Sequence, residues 1–264
     1  MRRIDFLGPH GIGKSTLYEH LIRLSPDRLW MTPREARREV ARMQLLQRRR
    51  PRDLAKWMTC LLPRVGDVFI NAYTTRTAER AFVTTSEGYQ AFFNYCLDDV
   101  LRHRPSTPRG SSSHPLHYVN LNWLYERLLE LSLLESLDAT VVFDDSLAHC
   151  TVGLLCDRDD LSWARLHFEK MPAPQVAVHL AAPEDVVHRR LMARTEDHSP
   201  APIRQTDSTP DELLQLVRRG LRLAELGAST LQWRGVQVVA LDAQDPPREN
   251  AARLAEEIRT AASD

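Results

Sequence analysis

Short apolar runs alternate with longer amphipathic stretches along most of the chain. Arg3–Leu7, Thr140–Phe143, Val176–Leu180 and Val236–Leu241 have the length and the Val, Ile, Leu and Phe content of buried strands, and Leu29–Met31 adds a shorter one. Between them hydrophobic residues recur at helical spacing. Tyr118–Leu137 carries Leu121, Leu124, Leu128, Leu131 and Leu134 along one side, and a closing segment carries Ala251, Leu254, Ala255 and Ile258. Lys14–Leu24 and Pro183–Arg194 read as two more helices. Helix starts are marked twice by the same chemistry: Thr32-Pro33-Arg34-Glu35 and Thr209-Pro210-Asp211-Glu212 each place a capping threonine before a proline, with glutamate three residues after the cap. The second of these opens a helix to about Thr230. Five strands separated by helices predict an α/β fold whose parallel sheet is covered on both faces.

Two regions exceed that minimal plan. Residues 35–117 are helical and irregular, broken at Pro51 and Pro63, and end in the loop-like stretch Arg104–Leu116; residues 195–208 form a polar, proline-containing loop. The expected organisation is a single domain over 1–264, with 35–117 as a helical insertion and 195–208 as a lid.

Composition narrows the class. Apolar residues make up 43% and charged residues 27%, too apolar for a disordered chain, and no run reaches the ~18 uncharged apolar residues of a membrane span. The start, Met-Arg-Arg-Ile-Asp-Phe-Leu-Gly, has too short an apolar stretch for a secretory signal. The four cysteines, Cys60, Cys96, Cys150 and Cys156, fit neither a disulfide framework nor a paired Cys-x-x-Cys zinc site. A reduced cytoplasm is the expected compartment, with no membrane partner. Formal neutrality hides an asymmetry: residues 1–110 carry 20 basic against 11 acidic side chains, and the rest carry 15 against 24.

The chemistry begins at Gly8-Pro9-His10-Gly11-Ile12-Gly13-Lys14-Ser15, which matches G-x-x-x-x-G-K-[ST] between an expected strand and an expected helix. The spacing has a mechanical reason. Glycines let the backbone wrap so that successive N–H groups point inward at phosphate oxygens, and the following helix aims its positive end at the same anion. Lys14 then reaches the β- and γ-phosphates and the Ser15 hydroxyl ligates Mg²⁺. Residues Gly8 to Thr16 are the expected cradle for MgATP.

The order of the remaining segments resembles the thymidylate kinase and deoxynucleoside kinase group. The resemblance rests on the loop, on Val141-Val142-Phe143-Asp144-Asp145-Ser146, on the V-A-V-H-L-A-A-P-E-D-V-V-H-R-R-L-M-A-R stretch, and on V-V-A-L-D-A before the last helix. It covers residues 1–31 and about 118–262. The Gly-Pro-His-Gly-x-Gly-Lys string is also similar to viral thymidine kinases, over those residues only. The thymidylate and deoxynucleoside kinase group usually carries Asp-Arg or Glu-Arg-Ser after the third strand, where this chain has Asp145 in place of the arginine. Asp-Asp-Ser and Met171-Pro172-Ala173-Pro174 look closer to uncharacterised bacterial kinase-like P-loop proteins. The resemblance implies a three-layer P-loop fold with a five-stranded parallel sheet, MgATP as phosphoryl donor, and a loop from Asp242 to Pro247 bordering the adenine.

Candidate roles follow, each beside a plainer alternative. Asp144 is expected to emerge at the strand's C-terminal edge and hold a Mg²⁺-bound water, or else to cap the next helix. Asp145 is either the base for an acceptor hydroxyl or a cap. Glu35 is a base or a capping-box member. Arg190 and Arg194, spaced i and i+4, are expected to stabilise the transferring phosphoryl group, against a solvated helix face. Eight arginines between Arg34 and Arg52 form a solvent face, or bind an anionic acceptor, or bind nucleic acid; poor aromatic interleaving disfavours the last. His114, His117, His149 and Cys150 lack the spacing of a metal site.

The expected function is ATP-dependent phosphoryl transfer to a small-molecule hydroxyl or phosphate. The alternatives are a nucleotide-dependent switch that binds a partner through its arginine-rich helices, and a nucleic-acid end kinase. The leucine-rich helix over 118–137 could also pair two copies in a homodimer.

Overall fold

A computed structural model describes the backbone of residues 1–25, 29–47, 63–102, 113–155, 161–197 and 209–263, and the side chains of these except at 63–69, 71, 72, 85, 113–119, 153–155, 194–197 and 261–263. Five strands form one all-parallel sheet: β1 (Arg2–Leu7), β2 (Trp30–Met31), β3 (Thr140–Phe143), β4 (Val176–Ala181) and β5 (Gln237–Asp242). Their order across the sheet is β2-β3-β1-β4-β5. Asp5 pairs with Phe143 on one side and Ala177 on the other, and the β4–β5 ladder runs from Val176↔Gln237 to Ala181↔Asp242.

That order fixes where a ligand can sit. The chain leaves β1 for one side of the sheet and leaves β3 for the other, so the connections part at the β1–β3 boundary. Crevices open outside the carboxyl ends of strands at such a switch.

Alternation along the strands gives each face its own core. Leu7, Val141, Phe143 and Ala177 meet one helical layer, and Ile4, Phe6, Val142, Val176, Val178 and Leu180 meet the other. The first layer is led by the leucines of α5 (Ser113–Leu134). The second is led by α1 (Lys14–Arg23) and the closing helix α10 (Pro247–Ser263), through Leu17, Leu21, Leu254 and Ile258. An apolar cluster on each face is compatible with a three-layer α/β sandwich.

Residues of the 35–117 region that the structure describes are helical: α2 (Pro33–Gln47), α3 (Pro63–Thr85) and α4 (Glu87–Arg102) precede α5. The helix α5 starts at Ser113, so the end of the expected 104–116 loop is helical instead. Pro115 falls in its first turn, where a missing N–H is tolerated. Between β3 and β4, where the sequence pattern indicated only that a helix follows Asp144, lie α6 (Leu147–Leu155) and α7 (Leu161–Lys170). After β4 come α8 (Glu184–Asp197) and α9 (Pro210–Trp233). Residues 195–197 of the expected lid belong to α8, and 198–208 lie outside the described residues. The helix α9 begins on the expected capping box, with Thr209 and Glu212 each accepting the other's backbone N–H.

Candidate functional site

The loop from Gly8 to Gly13 joins β1 to α1 at the carboxyl edge of the sheet. Gly11 has φ 82° and Gly13 φ 111°, backbone values that side chains with a Cβ disfavour. Gly13 is the N-cap of α1 without a side-chain acceptor, and the first turn holds no acidic residue. The positive end of α1 is therefore open to an anion from outside the helix. Lys14 is folded back on the loop, its Nζ donating to the Gly8 and Pro9 carbonyls at 2.8 Å each. Ser15 and Thr16 are exposed one residue further on.

The loop is clamped by three elements remote in sequence. From α8, Arg190 donates through Nη1 to the Ile12 carbonyl and through Nη2 to the Ala243 carbonyl, both at 3.0 Å. Leu191 on the same helix abuts Gly11 so closely that a Cβ there would lie 2.7 Å from its Cγ. On α9, Gly220 lets Pro9 approach: a Cβ at Gly220 would stand 2.7 Å from that of Pro9. From α6, His149 is buried under the loop with Nδ1 3.2 Å from the Gly8 carbonyl oxygen and its ring 4.6 Å from that of His10.

Burial, Lys14, His10 and Arg127 together hold the His149 pKa well below the ordinary imidazole value, with the Gly8 carbonyl opposing. His179 shifts the same way through burial. Such a group is neutral in the folded protein but takes up a proton in the unfolded chain below about pH 6.5, so the unfolded state binds more protons there. Its contribution to stability is complete above that pH and is lost as the pH falls. A thermal midpoint that drops from pH 7 to pH 5, and drops less in His149→Asn, is the expected result; equal drops would assign the acid sensitivity to other groups.

A cleft of about 340 Å³ opens beside the loop, lined by Gly13, Leu17, Arg190, Ala243, Asp245 and Asn250 among others. Asp242 stands behind it and shapes the turn. Its carboxylate accepts the Gln244 N–H at 2.8 Å and its carbonyl accepts the Asn250 amide at 2.6 Å. Arg190 borders this cleft with its guanidinium engaged on two carbonyls. Arg194 lies one turn further along α8, its side chain outside the described ones. Arg189 pairs with Asp185 at 2.9 Å on the exposed face.

At the end of β3, Ser146 caps α6. Its Oγ accepts the His149 N–H at 3.1 Å and donates to the Phe6 carbonyl at 2.7 Å. Asp144 and Asp145 are thereby released from capping. Asp144 is half-buried and accepts the Asp145 N–H at 2.8 Å. Asp145 is exposed and lies 3.5 Å from Nη2 of Arg127. Glu35, by contrast, does what its capping box demands, accepting the Thr32 N–H and hydroxyl at 2.9 Å each.

Sequence reasoning missed Arg127. It reaches from α5 to the strand edge, lies 5.7 Å over the Phe143 ring, and bonds Glu130, which also holds Arg37 at 3.2 Å. Tyr18 on α1 stands in the same neighbourhood. Burial raises its pKa, as do Asp144, Glu35 and Glu130, while Arg127 opposes them. The only local signal for Arg127 was its place on the polar side of a leucine-rich helix. Gly220 and His149 carried none.

Ser15 and Asp144 offer oxygen donors at one edge of the sheet, a set that fits Mg²⁺, which takes few protein ligands and completes its shell with water and phosphate oxygens. Among the described residues no group of three or more His, Cys, Asp or Glu forms a ready metal cage. No described helix is long and apolar enough to cross a membrane. No protein-family model matches the chain, and no curated protein is similar to it in sequence.

Proposed function

We propose that the protein is an ATP-dependent phosphotransferase that moves the γ-phosphoryl group of MgATP to a small-molecule hydroxyl or phosphate acceptor. The observation that carries this reading is Lys14 resting on the Gly8 and Pro9 carbonyls, at the open positive end of α1, inside a loop whose Gly11 and Gly13 adopt positive φ. A lysine held in reserve over an uncapped helix end suits a polyphosphate. The resemblance to the thymidylate and deoxynucleoside kinase group points the same way.

On this reading the loop amides and Lys14 would bind the β- and γ-phosphates, Ser15 would ligate a magnesium ion and Asp144 would hold a water of its shell, and the ion would neutralise phosphate charge. The cleft beside Arg190, Ala243 and Asn250 takes the base. The acceptor enters on the far side of Asp144, among Tyr18, Arg37, Arg127 and Glu130. There Arg127 is matched by Glu130 and Asp145 and Arg37 by Glu130, which suits a hydroxyl acceptor better than an anionic one. Asp145, free of capping and beside Arg127, is the candidate to take the hydroxyl proton.

The test is incubation with MgATP and pooled metabolites, followed by a search for an 80-dalton mass gain on one of them. Asp144→Asn is expected to lower the rate of that gain about 10–100-fold, the usual effect of a residue that orients a metal's shell. Release of inorganic phosphate alone, across broad pools, would favour a nucleotide-dependent switch and overturn the transferase reading.

A further inference from the structure

His149 lies outside the glycine-lysine motif, yet its ring is built into the loop. Its backbone N–H is held by Ser146 Oγ, which in turn donates to the Phe6 carbonyl of β1, so the imidazole is tied to the strand that carries the loop. A carbonyl can only accept, so Nδ1 carries the proton that faces Gly8 and Nε2 is bare. The Gly8 carbonyl therefore has two donors, Lys14 Nζ at 2.8 Å and His149 Nδ1 at 3.2 Å.

Those donors have different futures. A phosphate oxygen competes strongly for an ammonium, because both partners are charged. On the polyphosphate reading above, Lys14 turns away from Gly8 and Pro9 as the anion arrives. Gly8 is buried, and a buried carbonyl that loses its last donor is costly. We propose that His149 is a positioning residue of the phosphate loop, its Nδ1–H keeping the Gly8 carbonyl satisfied when Lys14 is released to phosphate, so that the loop holds its shape in the loaded state. His10 lies edge-on to the ring, at 80° between planes.

The experiment compares His149→Leu, which removes the donor, with His149→Asn, whose amide can place an N–H where Nδ1–H was. The Kd of the full chain for MgATP is measured by calorimetry, in the wild-type and Lys14→Ala backgrounds. His149→Leu is expected to weaken binding about tenfold, one net hydrogen bond, and His149→Asn to stay within about twofold of wild type. In the Lys14→Ala background the leucine penalty should vanish, because there is no lysine to release and His149 serves Gly8 equally in both states. Equal losses for Leu and Asn, or the same penalty in both backgrounds, would overturn the inference and leave a packing role. Wild-type protein that does not bind MgATP removes the polyphosphate reading itself; wild-type binding with no leucine penalty removes this inference alone. If the leucine variant does not fold, the imidazole ¹⁵N spectrum decides: an Nδ1–H tautomer whose resonance moves on adding MgATP supports the proposal, and an Nε2–H tautomer overturns it.

Discussion

Lys14→Ala is expected to abolish the 80-dalton gain on any acceptor at the sensitivity of a mass spectrum, and to weaken MgATP binding about ten- to a hundredfold. Two effects combine. Charge-assisted hydrogen bonds to phosphate contribute roughly 1.5–3 kcal/mol each, which sets the binding loss. A cation aimed at developing phosphoryl charge is worth on the order of 10²–10³ in turnover, which multiplies it. The fold should survive. The lysine's bonds to the Gly8 and Pro9 carbonyls are lost in the variant, and His149 still serves the first of them. Circular dichroism and a thermal midpoint near wild type would show this, so that lost activity is read as lost chemistry. A variant that transfers phosphate at the wild-type rate would remove Lys14 from the reaction and, with it, the central reason for calling this loop a phosphate site.

What could be read from the chain was whatever the chain decides locally. Strands β1, β3 and β4 were legible because each is a run of residues buried on both faces, as Val141, Val142 and Phe143 are, whereas β5, whose burial alternates, was legible from its run of apolar residues. Glu35 and Glu212 were legible as helix starts because a capping box closes within four residues. The helix after β3 was harder. Leu147–Leu155 is apolar on almost every side, so it has no polar stripe to set a helical period. The capping residue there was also ambiguous, since Asp144, Asp145 and Ser146 are all good caps. The tie is broken by the Phe6 carbonyl, a partner 140 residues away in sequence. Arg127 and Gly220 were illegible for the same reason. One guanidinium among many on polar helix faces becomes particular only because β3 brings Asp145 to it. A glycine inside a helix looks like a weak point until Pro9 is seen lying against it. The motif named the loop, then, but not the residues that brace it.

The bracing itself can be tested at Gly11, where two costs fall on one Cβ. Gly11→Ala would hold an L-residue at φ 82°, at about 1–2 kcal/mol, and would set its methyl 2.7 Å from Leu191 Cγ, an overpacking worth about 1–3 kcal/mol. Leu191 is buried at 3% exposure on α8, so it cannot swing aside into solvent. The loop must give instead, and the amides proposed to hold the phosphates move with it. MgATP affinity is expected to fall on the order of tenfold or more, with a lower thermal midpoint. Leu191→Ala separates the two causes. Alone it leaves a cavity and destabilises the protein by about 2–5 kcal/mol. Combined with Gly11→Ala it also relieves the clash, so the double variant should be less impaired than the sum of the singles, with a coupling of about 0.5–3 kcal/mol. The part that is not recovered measures the backbone cost at Gly11. Strict additivity would mean that α8 does not press on the loop, and that a positive φ alone makes glycine necessary there.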